Sequence, residues 1–107
     1  MQTDNKALVE CINSCFALSV NPDFPIEEQE AYQKRGFELR ARLMTLLHAM
    51  FNEGTQQVNE ANAKIKAVNK MLKERLLKLQ AAADTIAAVG SLVSILDDLL
   101  KLPFAFF

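Results

Sequence analysis

The chain is poor in the residues that break or brace a small fold. Its 107 residues include three glycines, three prolines, two cysteines, one histidine, one tyrosine and no tryptophan. So few breakers allow few turns, and with half of the residues hydrophobic the chain must be spanned by long helices. Cys11 and Cys15 sit four residues apart in one helix-forming stretch, where their Cβ atoms do not face each other. This excludes a disulfide scaffold and reads as two buried thiols. Three scattered glycines exclude the glycine-rich phosphate-binding loops. His48 has no His-x-x-x-His, Glu-x-x-His or Cys-x-x-Cys companion, so no metal is expected, and His48 reads as a boundary residue beside an apolar stripe. No nucleophile lies on a strained turn, so no catalytic residue, no cofactor and no enzymatic activity are expected.

Long apolar runs are also short of what a membrane needs. Thr85 to Leu96 gives about 12 uncharged residues against the roughly 20 required, and Asp97, Asp98 and Lys101 interrupt any extension. No transmembrane segment is expected. Met1 to Glu10 lacks a basic start followed by an apolar core, which argues against a secretory signal and makes the cytoplasm the expected compartment.

What is present is helix-forming. Ala, Leu, Lys, Glu, Gln and Met abound, no stretch alternates as a strand would, and the length suits a single all-α domain over 1–107. A first helix is expected over 3–20, capped by Thr3 or Asp4 and apolar on most of its circumference. Asn21-Pro22-Asp23-Phe24-Pro25 ends it. A second helix follows over 26–52, with Glu27, Glu28 and Glu30 at its start and Tyr32, Leu39, Leu43, Leu46 and Met50 on its buried face. Phe37, Met44, Leu47 and Phe51 widen that face, and Gly36 on the same stripe allows a close approach. Glu53-Gly54-Thr55 supplies a turn.

The strongest pattern comes next. Val58, Ile65, Leu72, Leu79, Ile86, Val93 and Leu100 recur at seven-residue steps, and their companion positions are apolar except for Arg75. Such a 3.5-residue period marks helix-on-helix packing and predicts a helix over 55–101, about 70 Å long if unbroken, with Asp84-Thr85 or Gly90-Ser91 as candidate kinks. The short turn at Gly54 makes this helix the antiparallel neighbour of the second. Its distal half then needs cover from the first helix lying along it, from a second subunit, or from both; a two-helix layer cannot bury all of this apolar surface, so a homodimeric helical bundle is expected.

Charge is uneven. The formal net charge is −1, yet Lys34 to Gln80 holds ten basic and four acidic residues, and the rest holds two basic and nine acidic. Lys34, Arg35 and Arg42 on the second helix and Lys66, Lys70 and Lys73 on the third form a candidate anion patch, and the polarised charge best fits an antiparallel dimer in which the basic half of one subunit meets the acidic remainder of another. With only Phe37 among these charges, base stacking has little support, and nucleic acid is not the expected partner. The tail, residues 102–107, ends on Phe104, Phe106 and Phe107 and is expected to tuck against the core, a dimer mate or a partner protein. These features point to a non-catalytic helical interaction module acting as a homodimer. The alternative is an anion-binding module using the basic half on nucleic acid or an anionic membrane.

Overall fold

Leu8, Cys11, Ile12, Cys15 and Leu18 recur at three- and four-residue steps. In the computed structural model, which describes residues 1–107, they form the buried stripe of helix α1 (Asn5–Ser19). Asp4 caps this helix, its carboxylate accepting the Ala7 amide at 3.1 Å. Helix α2 (Ile26–Leu46) starts directly after Pro25 and ends six residues short of the expected Asn52. The chain then turns into a short strand β1 (Ala49–Phe51). Gly54, at φ 72°, precedes helix α3 (Thr55–Leu76). The left-handed backbone demands glycine there, and a Cβ would lie 2.6 Å from the Leu102 side chain and push it aside.

The long helix expected over 55–101 is two helices. Helix α3 stops at Leu76, and α4 (Ala82–Leu99) begins after a five-residue reversal. Neither candidate kink is the break, since α4 runs through both Asp84-Thr85 and Gly90-Ser91. Lys78 adopts the left-handed conformation at φ 61°, its amide bonding to the Arg75 carbonyl at 2.9 Å. The Leu79 amide reaches back to the Glu74 carbonyl at 2.8 Å. These two bonds make a Schellman C-cap, with lysine where glycine is usual. Leu79, a member of the expected seam, is 75% exposed at this reversal.

The reversal changes the architecture. The packed pairs are α1 with α2, α3 with α4, α1 with α3 and α2 with α4, a four-helix ring in which α2 and α3 lie on a diagonal. The expected α2/α3 hairpin is therefore replaced by two antiparallel hairpins, α1/α2 and α3/α4, laid side by side. Facing helices of the two hairpins run parallel: Arg35 lies against Gly90 and Arg42 against Asp97, while Asp4 meets Asn62 and Glu10 meets Asn69. A three-residue turn could not cross that diagonal, which is roughly 13 Å for helices packed 8–10 Å apart. Residues 47–54 make the crossing instead, and β1 lies within them.

Strand β2 (Phe104–Phe106) pairs antiparallel with β1, placing Ala49 opposite Phe106 and Phe51 opposite Phe104. On the other side of β1, Met1 and Phe51 exchange two backbone hydrogen bonds of 2.8 Å. This small sheet closes one end of the bundle, with Ala49 and Phe51 buried beneath it. Both halves of the sevenfold seam then face one core: Val58, Ile65, Leu72 and Val93 are buried, and Ile86 and Leu100 pack at its margin. A chain folded this way covers its own distal half, which removes the uncovered area on which a twin chain was expected.

Candidate interaction surfaces

The most connected buried ion pair sits at the end of the bundle opposite the sheet. Arg75 donates from Nε and Nη2 to the two carboxylate oxygens of Glu28, at 2.8 and 2.9 Å. Tyr32 donates its hydroxyl to the same carboxylate at 2.6 Å, and Arg75 Nη1 donates to the Gln80 carbonyl at 3.2 Å. The guanidinium also lies 4.2 Å from the centre of the Phe24 ring. Hydrogen bonds from Arg75 hold the Glu28 carboxyl below the usual range, and the same pairing raises Arg75. Burial, then the bond to Glu28, pushes the Tyr32 phenol up. One arginine thus ties the α1–α2 loop, the start of α2 and the α3–α4 reversal together. The lone polar companion position of the seam is a structural clamp.

The uneven charge along the chain is largely spent inside the molecule. Arg75–Glu28, Arg42–Asp97, Lys73–Glu10 and Lys78–Asp23 each join a base from the 34–80 segment to an acid outside it. Hydrogen bonds from Arg42 lower the Asp97 carboxyl, and bonds from Asn69 and then Lys73 lower Glu10. Arg35 and Lys70 pair locally, with Glu38 and Glu74.

The residues of the candidate anion patch do not come together. Arg35 and Arg42 lie along the α2/α4 contact, and Lys73 lies along the α1/α3 contact on the opposite side of the ring. Lys34 and Lys66 are exposed without ion-pair partners, one on each of the two diagonal helices. The expectation of one shared patch presumed that α2 and α3 were neighbours.

The phenylalanine tail lies against its own chain. Phe104 packs on Phe51 with ring centres 5.5 Å apart, Phe106 on Phe104 at 5.3 Å, and Phe107 meets His48 at 6.1 Å. Phe106 and Phe107 remain largely exposed. Cys11 and Cys15 are buried free thiols, each pushed up to about 12 chiefly by burial, and the Cys11 thiol donates to the Ile65 carbonyl at 3.5 Å.

The surface that sequence reasoning missed lies on the outside of the α1/α2 hairpin. Phe37, Met44 and Leu47 were expected to widen the buried face of α2, yet they are 53%, 61% and 37% exposed. Along its length α2 packs chiefly against α1 and α4, so the widened stripe overshoots what those neighbours cover. Val9 on α1 and Val20 just past its end are likewise exposed. Phe16 bridges the two ridges, its ring centre 5.2 Å from that of Phe37. It lies so close to Gly36 that a Cβ there would meet it at 3.0 Å. Between the ridges runs an open groove of about 340 Å³, lined by Val9, Ile12, Phe16, Leu43 and Met44 with Asn13 and Arg40. A second open groove, of about 230 Å³, lies between α3 and α4 beside Glu60 and Asp98. No helix is long and apolar enough to cross a membrane. No protein-family model matches the chain, and neither a curated protein nor a solved structure matches it.

Proposed function

We propose that the chain is a non-catalytic helical interaction module that binds another protein through the outer face of α1/α2. The observation that carries this reading is the placement of exposed apolar bulk. Phe37, Met44 and Val9 flank a groove between helices, whereas the exposed large apolar side chains elsewhere, Ile26, Leu77 and Leu79 at one end of the bundle and Met1, Phe106 and Phe107 at the other, line no groove. Contiguous apolar surface rimmed by polar groups marks docking sites on small proteins. The anion-binding alternative has less behind it, since Arg35, Arg42, Lys70 and Lys73 already hold acids of the same chain. A twin chain remains one candidate partner, although two copies of this face would bring Arg40, Lys34 and Lys6 toward their own counterparts.

The reading is tested by a photoreactive phenylalanine analogue at position 44, compared with the same analogue at position 66 on α3. Discrete protein adducts at 44 that vanish on Phe37→Glu support it, a self-adduct at twice 12.0 kDa naming a twin as the partner. Equal adducts at both positions, or none at 44, contradict it.

A further inference from the structure

We infer that the α1/α2 groove receives an acidic amphipathic helix of a partner protein. The inference rests on the interaction reading above and adds the partner's chemistry. Its geometric part is the shape of the groove. Val9, Phe16 and Val20 form one ridge at steps of seven and four residues, and Phe37, Met44 and Leu47 form the other at steps of seven and three. Antiparallel helices bound the groove, whose lining on α1 runs from Val9 to Phe16, a rise of roughly 10 Å, and Val20 and Phe37 carry the apolar face past one end of it and Leu47 past the other. A helix that sets about two turns in the groove, with apolar residues at three- and four-residue steps, fits such a trough by the same ridge-and-groove packing that builds the bundle.

Its electrostatic part is what the ion pairs leave over. Lys6, Lys34 and Arg40 are exposed bases with no acid paired to them, and Arg40 lines the groove itself. The acids nearby are directed elsewhere. Glu10 turns to Lys73 and Asn69 across the α1/α3 contact, and Glu38 pairs with Arg35. Glu27 and Glu30 belong to the opening turns of α2, beyond Phe37. A molecule of net charge −1 thus presents a locally cationic apolar face. Carboxylates on a docked helix would complete the pairs that the chain leaves open on this face.

The test uses a fluorescent 18-residue peptide with leucines at helical three- and four-residue steps and glutamates beside them. A counterpart carries lysine for each glutamate, and vesicles of neutral or anionic lipid serve as competitors. The expected result is binding of the acidic peptide that weakens with added salt, falls roughly tenfold on Arg40→Glu and is lost on Phe37→Glu or Met44→Glu. Lys66→Glu, on α3, should leave it unchanged. Circular dichroism of each variant confirms that the fold persists. Equal binding of the lysine peptide, or indifference to Arg40→Glu, overturns the acidic partner while leaving the interaction reading standing. Binding indifferent to Phe37→Glu and Met44→Glu overturns both. Binding to anionic vesicles but to neither peptide overturns the inference in favour of a membrane surface.

Discussion

Replacing Arg75 with methionine keeps an unbranched apolar stem as far as the Nε position and removes all of the side chain's hydrogen bonds. The Glu28 and Arg75 side chains are only 8% and 15% exposed, so the carboxylate left behind is desolvated, with Tyr32 as its remaining donor. Breaking a buried pair in this way costs about 3 kcal/mol, out of a total of roughly 5–15 for a domain of this size. The midpoint of thermal unfolding should fall by about 15 °C. Its pH dependence should also change sign. In the native chain Glu28 is held below the usual carboxyl range, so its contribution is full above about pH 4.3, the unfolded value, and is lost as pH falls through the lower folded one. In Arg75→Met, burial without its cation raises the carboxyl. The fold is then relatively favoured below about pH 4.3 and loses that advantage as pH rises. Adding Glu28→Gln removes the stranded charge and should recover most of the loss, giving a coupling of about 2 kcal/mol in a double-mutant cycle. Denaturant titrations of the four proteins at pH 4 and 7 decide the matter. A loss under about 0.5 kcal/mol, or strict additivity, would refute the clamp.

Three further outcomes follow from the same geometry. Lys78→Gly should stabilise the chain by roughly 0.5–1 kcal/mol in chemical denaturation, because glycine relieves the left-handed backbone. The exposed Lys78–Asp23 pair that it removes contributes little. Leu72→Ala should cost about 2–5 kcal/mol and Leu79→Ala under about 0.5, although both belong to the sevenfold series; equal losses would mean that Leu79 is packed. Cys11 and Cys15 should resist Ellman's reagent at pH 8 until the protein unfolds, since burial both hides the thiols and pushes each up to about 12.

The helices were legible where side-chain chemistry dictates them locally. Asp4 before α1, the two prolines before α2 and Gly54 before α3 stand where the termini fall. The break near Lys78 was not legible, because Leu77-Lys78-Leu79-Gln80 are all good helix formers and the sevenfold phase runs straight through them. Two inward-facing helices simply kept step across the turn. Arg75 was the available signal: a charge on an apolar seam needs a partner, and Glu28 can reach it only near a bundle end. The small sheet was invisible for another reason. Met50 and Phe51 fit a helical stripe in isolation, and only pairing with the Phe-Ala-Phe alternation of the tail makes Ala49–Phe51 a strand. The α1/α2 surface was hidden because its residues look like core until the neighbours of α2 are counted.

The most direct measurement is the distance between nitroxide labels placed by Gln57→Cys and Asp98→Cys in one chain, the buried native thiols being spared. Both positions line the groove between α3 and α4. With the reversal at residues 77–81 their backbones lie about 10 Å apart, so a label distance under roughly 25 Å is predicted. A distance near 60 Å, the rise of an uninterrupted helix between those residues, would contradict the self-covering bundle and the α1/α2 surface derived from it.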